Sequence, residues 1–130
     1  MKNTIWLDLM GAEVKYVQGA KYRSRIIEAG HENSEYLILY HGFGGHVETY
    51  SRNALAYAKH FHVVAIELLW HGFTDKPPFQ DNLVAQMAEH ILDVMDTMEI
   101  KSAHLEGEAI GAGVVLWIAL NAPTRVNKLI

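Results

Sequence analysis

Residues 103–111, AHLEGEAIG, decide the fold of this 130-residue chain. The first four of them predict a short strand, and the last two begin an apolar helix. A sharp turn between strand and helix needs small residues on either side of its centre, because larger side chains there would collide with both elements. Gly107 and Gly111 meet that need. Ala109 occupies the centre, where we expect a strained backbone conformation.

The turn lies within a regular alternation of strand and helix patterns, which favours a mostly parallel sheet with helices on both faces. Short apolar runs at Tyr36–Tyr40 and residues 63–66 fit strands that are buried on both faces. Polar and apolar residues alternate on either side of Gly19-Ala20, in Glu13–Gln18 and residues 21–28. This alternation predicts an N-terminal antiparallel hairpin with one solvated face.

The spacing of apolar residues predicts three helices, over residues 50–60, residues 82–98 and Ile110–Asn121. The third is apolar nearly all round and is therefore expected to be buried. It ends before Pro123, because proline cannot continue a helix and restricts the residue that precedes it. A last strand is predicted over residues 125–130.

The composition is that of a globular domain, with 50% hydrophobic and 20% charged residues. The formal net charge of −4 offers no basic surface for nucleic acid, and no apolar run reaches the roughly 18 residues of a membrane span. The absence of cysteine excludes disulfides and a cysteine nucleophile. Without a signal-peptide core at the N-terminus, the sequence predicts a cytoplasmic protein. No histidines and carboxylates have zinc-site spacing, and no cofactor is predicted.

Two further loops follow predicted strands. The loop His41-Gly42-Phe43-Gly44-Gly45-His46 comes directly after Tyr36–Tyr40, and ELLWHGFTDKP, residues 67–77, comes after residues 63–66. Glycines in the first loop let the backbone turn back toward residues 107–111 and present an N–H group inward. A phosphate-binding loop is the alternative, but this loop lacks both the G-x-G-x-x-G spacing and a Gly-Lys-Ser/Thr ending.

With a strand before it and a helix after it, Gly107-Glu108-Ala109-Ile110-Gly111 has the arrangement of a nucleophile elbow, G-x-S-x-G, with alanine where serine is expected. A plain glycine-rich turn is the alternative. Together with the two loops, the elbow makes the chain resemble the N-terminal half of an α/β-hydrolase-fold protein along its whole length. Residues 1–130 would then form part of one core domain, without its lid and C-terminal strands.

Within that superfamily, the segments HGFGGHVETYSRN, ELLWHGFTDKP and HLEGEAIGA are most similar to the meta-cleavage-product hydrolases. Those enzymes hydrolyse a carbon–carbon bond in ring-opened vinylogous 1,5-diketones during aromatic degradation. Esterases, lactonases and haloalkane dehalogenases share these loops. The second segment departs from the superfamily pattern D-x-x-G-x-G-x-S at Glu67, Trp70 and Thr74. We expect Thr74 and Asp75 to satisfy backbone groups of the loop.

The resemblance implies a hydrolase that acts on a C–C or ester bond of a small organic substrate. A serine at position 109 would attack, and the backbone N–H groups of Phe43 and Ile110 would stabilise the oxyanion. The residues expected to contact the substrate are His41, Gly42, Gly44 and His46. For His41 a second interpretation is that the imidazole braces its loop.

A methyl group cannot attack a carbonyl, so Ala109 makes the chain as it stands inactive or impaired by this mechanism. Three explanations stay open: an introduced Ser→Ala substitution, a natural non-catalytic protein that binds a ligand, and catalysis without an elbow nucleophile. The intact glycines around Ala109 favour the first, since a fold that no longer uses its elbow has less reason to keep the strain.

In this superfamily the acid and the histidine of the triad follow the nucleophile in the chain. We therefore expect both, and the lid, to come from a second polypeptide that supplies the C-terminal half of the fold, for example after cleavage of a longer chain. Alone, the apolar strands and their unpaired edges would favour aggregation. A small-molecule substrate is the other expected partner, and a homo-oligomer is left open.

Overall fold

The computed structural model describes residues 5–130, except for the side chain of Leu7. The strands are β1 Glu13–Gln18, β2 Arg23–Ala29, β3 Tyr36–Tyr40, β4 His62–Ile66, β5 Ala103–Gly107 and β6 Val126–Leu129. They form a six-stranded sheet in the order β1-β2-β4-β3-β5-β6. The helices are α1 Ile5–Asp8, α2 Ala54–Tyr57, α3 Leu83–Thr97 and α4 Ile110–Asn121, with 3₁₀ turns at Val47–Tyr50 and Pro123–Arg125.

Strand pairing confirms the N-terminal hairpin and the mostly parallel sheet. β1 is antiparallel to β2, with Glu13 opposite Glu28 and Gln18 opposite Arg23, and β2 is antiparallel to β4. The pairs β4–β3, β3–β5 and β5–β6 are parallel. The carboxyl ends of β3, β4 and β5 therefore lie at the same edge of the sheet, and the three loops singled out from the sequence begin there.

Helices cover both faces of the sheet, as predicted. On β3, Ile38 and Tyr40 pack into a core with α3 and α4, whereas Leu37 and Leu39 pack into a second core with the first 3₁₀ turn and α2. All four side chains are fully buried. A continuous apolar run is thus the signature of a strand with a core on each side.

The helix predicted over residues 50–60 is wrong in its extent. The structure has the 3₁₀ turn Val47–Tyr50 and then the four-residue α2. Asn33 accounts for the early end of α2, since its side-chain amide donates to the carbonyl oxygens of Ala58 at 2.9 Å and Phe61 at 3.2 Å. These carbonyls are satisfied from a distant loop, which a local apolar periodicity does not reveal.

Helix α4 has the predicted bounds, but it is buried on one side only. Val114, Val115 and Ile118 pack on the sheet, while Leu116 and Leu120 are 51% and 74% exposed. A uniformly apolar sequence indicates that a helix could be buried on all sides. Within residues 5–130, however, α4 is covered only where the sheet and α3 contact it.

Strand β2 departs from the prediction of one solvated face, because β1 and β4 flank it and six of its seven residues are buried. The buried polar residues are Ser24, Arg25 and Glu28. Each has a partner: Ser24 contacts His90, Arg25 contacts Glu48 and Glu67, and Glu28 contacts His62 and Lys15. Burial of these polar groups is tolerated because they are paired.

His90 of α3 is fully buried, with Nε2 2.7 Å from Ser24 Oγ and Nδ1 3.0 Å from Tyr40 Oη. Burial lowers the pKa of this imidazole to about 3. In the unfolded chain the pKa of His90 returns to about 6.5. Between about pH 3 and pH 6.5, the unfolded state therefore carries a proton on His90 that the folded state lacks. The contribution of the buried, neutral His90 to the free energy of unfolding is therefore complete above about pH 6.5 and is lost as the pH falls toward 3.

We expect the free energy of unfolding to fall on account of His90 by up to about 1.4 kcal/mol per pH unit below pH 6.5. Urea titrations at pH 7.5, 6 and 5, on the parent protein and on His90→Gln, measure this contribution. The variant is expected to be less stable at pH 7.5 but to show a shallower loss toward pH 5. Equal slopes in the two proteins would show that His90 does not titrate on unfolding.

Candidate active site

The turn between β5 and α4 has the strained geometry of a nucleophile elbow. Ala109 adopts φ 53° and ψ −117°, a conformation that residues other than glycine rarely adopt. A Cβ atom on Gly107 would lie 2.3 Å from the Gly111 carbonyl oxygen, and one on Gly111 would lie 2.3 Å from the Tyr40 carbonyl oxygen. The two glycines therefore allow the close approach that holds Ala109 in place, as expected from the sequence.

The glycine loop after β3 begins directly beside the elbow. The Glu108 amide donates to the Tyr40 carbonyl oxygen at 3.2 Å. A Cβ atom on Gly42 would lie 3.1 Å from the Ala109 methyl group and 3.2 Å from the Glu108 carbonyl oxygen. The tertiary structure thus brings Gly42 into contact with position 109, although 66 residues, 43–108, lie between them in the chain.

The two proposed oxyanion donors flank this contact. Phe43 follows Gly42, and Ile110 is the first residue of α4. Within residues 5–130, neither backbone N–H group has a hydrogen-bond acceptor. Ile110 also lies at the positive end of the helix dipole, which favours negative charge. The elbow therefore has N–H groups that remain free to bind an anionic oxygen.

His41 lies behind this surface. Its side chain is fully buried, Nε2 accepts from the Leu68 amide at 3.1 Å, and Nδ1 lies 2.8 Å from the Gly42 carbonyl oxygen. Since Nε2 is an acceptor, the proton is on Nδ1 and the imidazole is neutral. Burial lowers the pKa of His41, a nearby His71 lowers it further, and the bond to Gly42 opposes the shift. Both nitrogens are engaged, so the structure favours loop bracing over substrate contact for His41.

The other predicted contact residues lie farther out. Gly44 has φ +75°, and its amide donates to Nε2 of His71 at 3.1 Å. His46 is half exposed and pairs with Glu48 through Nδ1 at 3.0 Å. It lines an open groove of about 350 Å³ beside Phe73. The structure therefore brings Gly42, Phe43 and Ile110 to the elbow, while His46 belongs to the neighbouring groove.

His71 was not singled out from the sequence, although it lies inside the loop of residues 67–77. Its Nδ1 is 2.9 Å from the Leu69 carbonyl oxygen, and its ring packs 5.6 Å from the Phe43 ring, centroid to centroid. With the bond from Gly44, His71 connects the loop after β4 to the loop after β3. A histidine inside a glycine-containing loop was the only available signal for this role.

Glu67 organises the loop after β4. Its buried carboxylate accepts from Arg25 Nη1 at 3.2 Å, from the Phe73 amide at 2.8 Å and from the Thr74 amide at 3.2 Å. Arg25 also pairs with Glu48. Burial by itself would raise the pKa of Glu48, but the Arg25 guanidinium outweighs it and the pKa is lowered. The departure from aspartate at position 67 is therefore accommodated by a buried ion-pair network.

Trp70 adopts φ 66° at the position where the superfamily pattern has glycine. Its indole N–H donates to the Pro77 carbonyl oxygen at 2.7 Å, and the ring packs 4.7 Å from that of Phe79. Such a conformation costs of order 1 kcal/mol or more for a side chain of this size, and these contacts offset the cost. The second departure from the pattern is thus also supported locally.

The structure gives Thr74 and Asp75 different partners from those expected, because their side chains satisfy backbone amides of β2 and not of the loop itself. Thr74 Oγ1 accepts from the Arg25 amide at 3.0 Å, and Asp75 Oδ2 accepts from the Arg23 amide at 2.8 Å. Both bonds tie the loop after β4 to β2. The role of these residues is therefore to hold the loop against the sheet.

Replacement of Thr74 by valine removes the buried hydroxyl while keeping the side-chain shape. We expect Thr74→Val to lower the free energy of unfolding by about 1–2 kcal/mol, because the buried Arg25 amide loses its acceptor. Urea unfolding measures the change. Thr124→Val serves as the matched control, since Thr124 is exposed. Equal effects of the two substitutions would contradict the role given to the Thr74 hydroxyl.

The fold agrees with comparisons to known proteins. Residues 35–130 match the family model described as the alpha/beta hydrolase fold, and the chain belongs to that family. It is 36% identical over 105 residues to a dihydrolipoyllysine-residue acetyltransferase component of an acetoin cleaving system from Pseudomonas putida, covering 81% of this chain and 28% of that protein.

Two other similarities bear on chemistry. The chain is 30% identical over 97 residues to a 2-hydroxymuconate semialdehyde hydrolase from Pseudomonas sp. (strain CF600), covering 72% of this chain and 34% of that protein. A crystal structure of a bacterial membrane phospholipase A superposes with a TM-score of 0.87 at 27% identity, covering 95% of this chain and 41% of the other. The chain thus spans between about a quarter and two fifths of these three proteins. No helix within residues 5–130 has the length and apolarity needed to cross a membrane.

Proposed function

We propose that the chain forms the nucleophile-elbow part of a hydrolase that acts on a C–C or ester bond of a small organic substrate. Position 109 is where the nucleophile would stand, and Ala109 disables this step. The Phe43 and Ile110 amides would bind the oxyanion that forms when the substrate carbonyl is attacked. The observation that carries the proposal is the strained Ala109 backbone, held between Gly107 and Gly111 beside two unpaired N–H groups.

The similarity to a 2-hydroxymuconate semialdehyde hydrolase supports the C–C bond alternative, and the structural likeness to a phospholipase A supports the ester alternative. The acid and the histidine that would activate a serine are not assigned within residues 5–130, where His41 and His71 have both ring nitrogens engaged. We propose that they come from residues beyond 130 or from a second polypeptide. The small share of the relatives' length that this chain covers supports this.

A non-catalytic ligand-binding protein is the second candidate, and Ala109 itself favours it. Such a protein would keep the elbow and its N–H groups to bind a carbonyl or carboxylate without turnover. The strain at Ala109 argues for the hydrolase, because backbone strain persists where function requires it.

The experiment that separates the two combines calorimetric titration with an activity assay on the complete protein that contains residues 1–130. An aryl ester and a vinylogous 1,5-diketone are assayed with Ala109 and with Ala109→Ser. Turnover by the serine form supports the hydrolase. A protein that binds the diketone in both forms but hydrolyses neither compound would support the binding protein and overturn the hydrolase proposal.

A further inference from the structure

A second cluster of functional side chains lies at the opposite edge of the sheet from the elbow. Glu28 is near the end of β2, and His62 is the first residue of β4, which is antiparallel to β2. His31 lies in the turn that follows β2. Because β4 and β5 run in the same direction, the start of β4 and the end of β5 are at opposite edges. This cluster is therefore separate from the candidate active site.

The three side chains meet around one carboxylate oxygen. Glu28 Oε1 lies 2.6 Å from His62 Nε2 and 3.5 Å from His31 Nδ1. One ligand atom from each residue lies within 4.8 Å of each of the others. The side chains of Glu28 and His62 are 4% and 10% exposed, while that of His31 is 53% exposed. Two of the three groups are thus held in place by the core, and the third closes the cluster from the solvent side.

We propose that Glu28, His31 and His62 bind a divalent transition-metal ion of the zinc type. Two imidazole nitrogens and one carboxylate oxygen are ligands that zinc prefers. Ligand atoms around tetrahedral zinc are separated by about 3.3 Å, given metal–ligand distances of 2.0–2.1 Å. The distance of 3.5 Å between His31 Nδ1 and Glu28 Oε1 is already close to this value. The distance of 2.6 Å between His62 Nε2 and Glu28 Oε1 would have to lengthen by roughly 0.7 Å.

The residues around the three ligands are those expected of a metal site's outer shell. Lys15 pairs with the second oxygen of Glu28 and so orients the carboxylate. The other His31 nitrogen, Nε2, lies 3.7 Å from Glu13 Oε2. It can donate to that carboxylate when Nδ1 binds metal. Tyr36 stacks on the His62 ring with centroids 4.3 Å apart and an interplanar angle of 24°. Lys15 and Tyr36 thus orient Glu28 and His62, and Glu13 lies beside the His31 ring.

Three protein ligands leave one position of a tetrahedral ion open to water. The ligands join β2, the turn after it and β4, so the bound ion would stabilise this edge of the sheet. The groups that face the ion are the three ligands, Lys15 and Glu13.

Zinc titration of the protein at pH 7.5 tests the proposal. Calorimetry is expected to show one Zn²⁺ bound per chain, with a rise in melting temperature. His31→Ala is expected to abolish this binding, and Glu13→Gln to weaken it by about 10- to 100-fold through the outer shell. Both residues are exposed, so these substitutions leave the fold intact. His60→Ala is the matched control, since His60 is an exposed histidine two residues before His62, and it is expected to bind zinc unchanged.

Cobalt(II) supplies a second readout. Its visible absorption is expected to show a four-coordinate nitrogen and oxygen site in the parent protein and in His60→Ala, and to lose that band in His31→Ala. Absence of 1:1 binding in the parent protein would overturn the proposal. So would equal binding by His31→Ala and the parent protein, because the ion would then be held elsewhere. These outcomes do not depend on whether position 109 supports hydrolysis.

Discussion

Replacing Ala109 with serine is expected to raise the hydrolytic rate of the complete protein by about 10⁴-fold or more. Loss of a nucleophile that acts together with its base costs on the order of 10⁴- to 10⁶-fold in rate, and Ala109→Ser reverses such a loss. The elbow is already formed around Ala109. Serine adds only a hydroxyl group to the same Cβ atom, so the backbone needs no rearrangement.

Initial rates with an aryl ester and a vinylogous 1,5-diketone measure this effect. Ala112→Ser is the matched control, because Ala112 is an exposed residue of helix α4, three positions beyond Ala109. It adds the same hydroxyl away from the Phe43 and Ile110 amides and is expected to leave the rate at the level of the alanine form. Equal rates for the two serine variants would contradict a role for position 109 in catalysis.

Substitution of Gly111 by alanine is expected to lower the free energy of unfolding by about 3 kcal/mol or more. The new Cβ atom would lie 2.3 Å from the Tyr40 carbonyl oxygen and 2.8 Å from the His41 carbonyl oxygen. Both are backbone atoms, so the end of β3 and the start of α4 must move apart. Overpacking of this kind typically costs 1–3 kcal/mol, and more where backbone has to shift.

Gly113→Ala, in the same helix, is the control for this prediction. A Cβ atom on Gly113 meets no atom within 4 Å, and its φ is helical. Alanine there is expected to stabilise the protein by about 0.5–1 kcal/mol, because glycine is the poorer helix former. Urea unfolding of the two variants gives the comparison. A similar loss of stability in both would show that helix α4, and not the contact with β3, is sensitive to substitution.

Much of the fold could be predicted from local sequence patterns. The strand at Tyr36–Tyr40, helix α4 and the turn between β5 and α4 all depend on short-range features: continuous apolarity, a proline after the helix and two glycines four residues apart. The extent of α2 could not be predicted, because Asn33 ends that helix from a loop 25 and 28 residues away. Long-range capping leaves no periodic signal in the helix itself.

Residue identities in the chain determined that an elbow forms between a strand and a helix, and that its centre carries a methyl group instead of a nucleophile. Only the tertiary structure decided what surrounds that centre. His41 is turned into the protein because both its nitrogens bond to backbone, and Gly42 contacts Ala109 because the carboxyl ends of neighbouring parallel strands meet. Likewise, Glu28, His31 and His62 lack zinc-site spacing in the sequence. They converge because β2 and β4 pair in antiparallel register, and that register depends on the packing of the whole sheet.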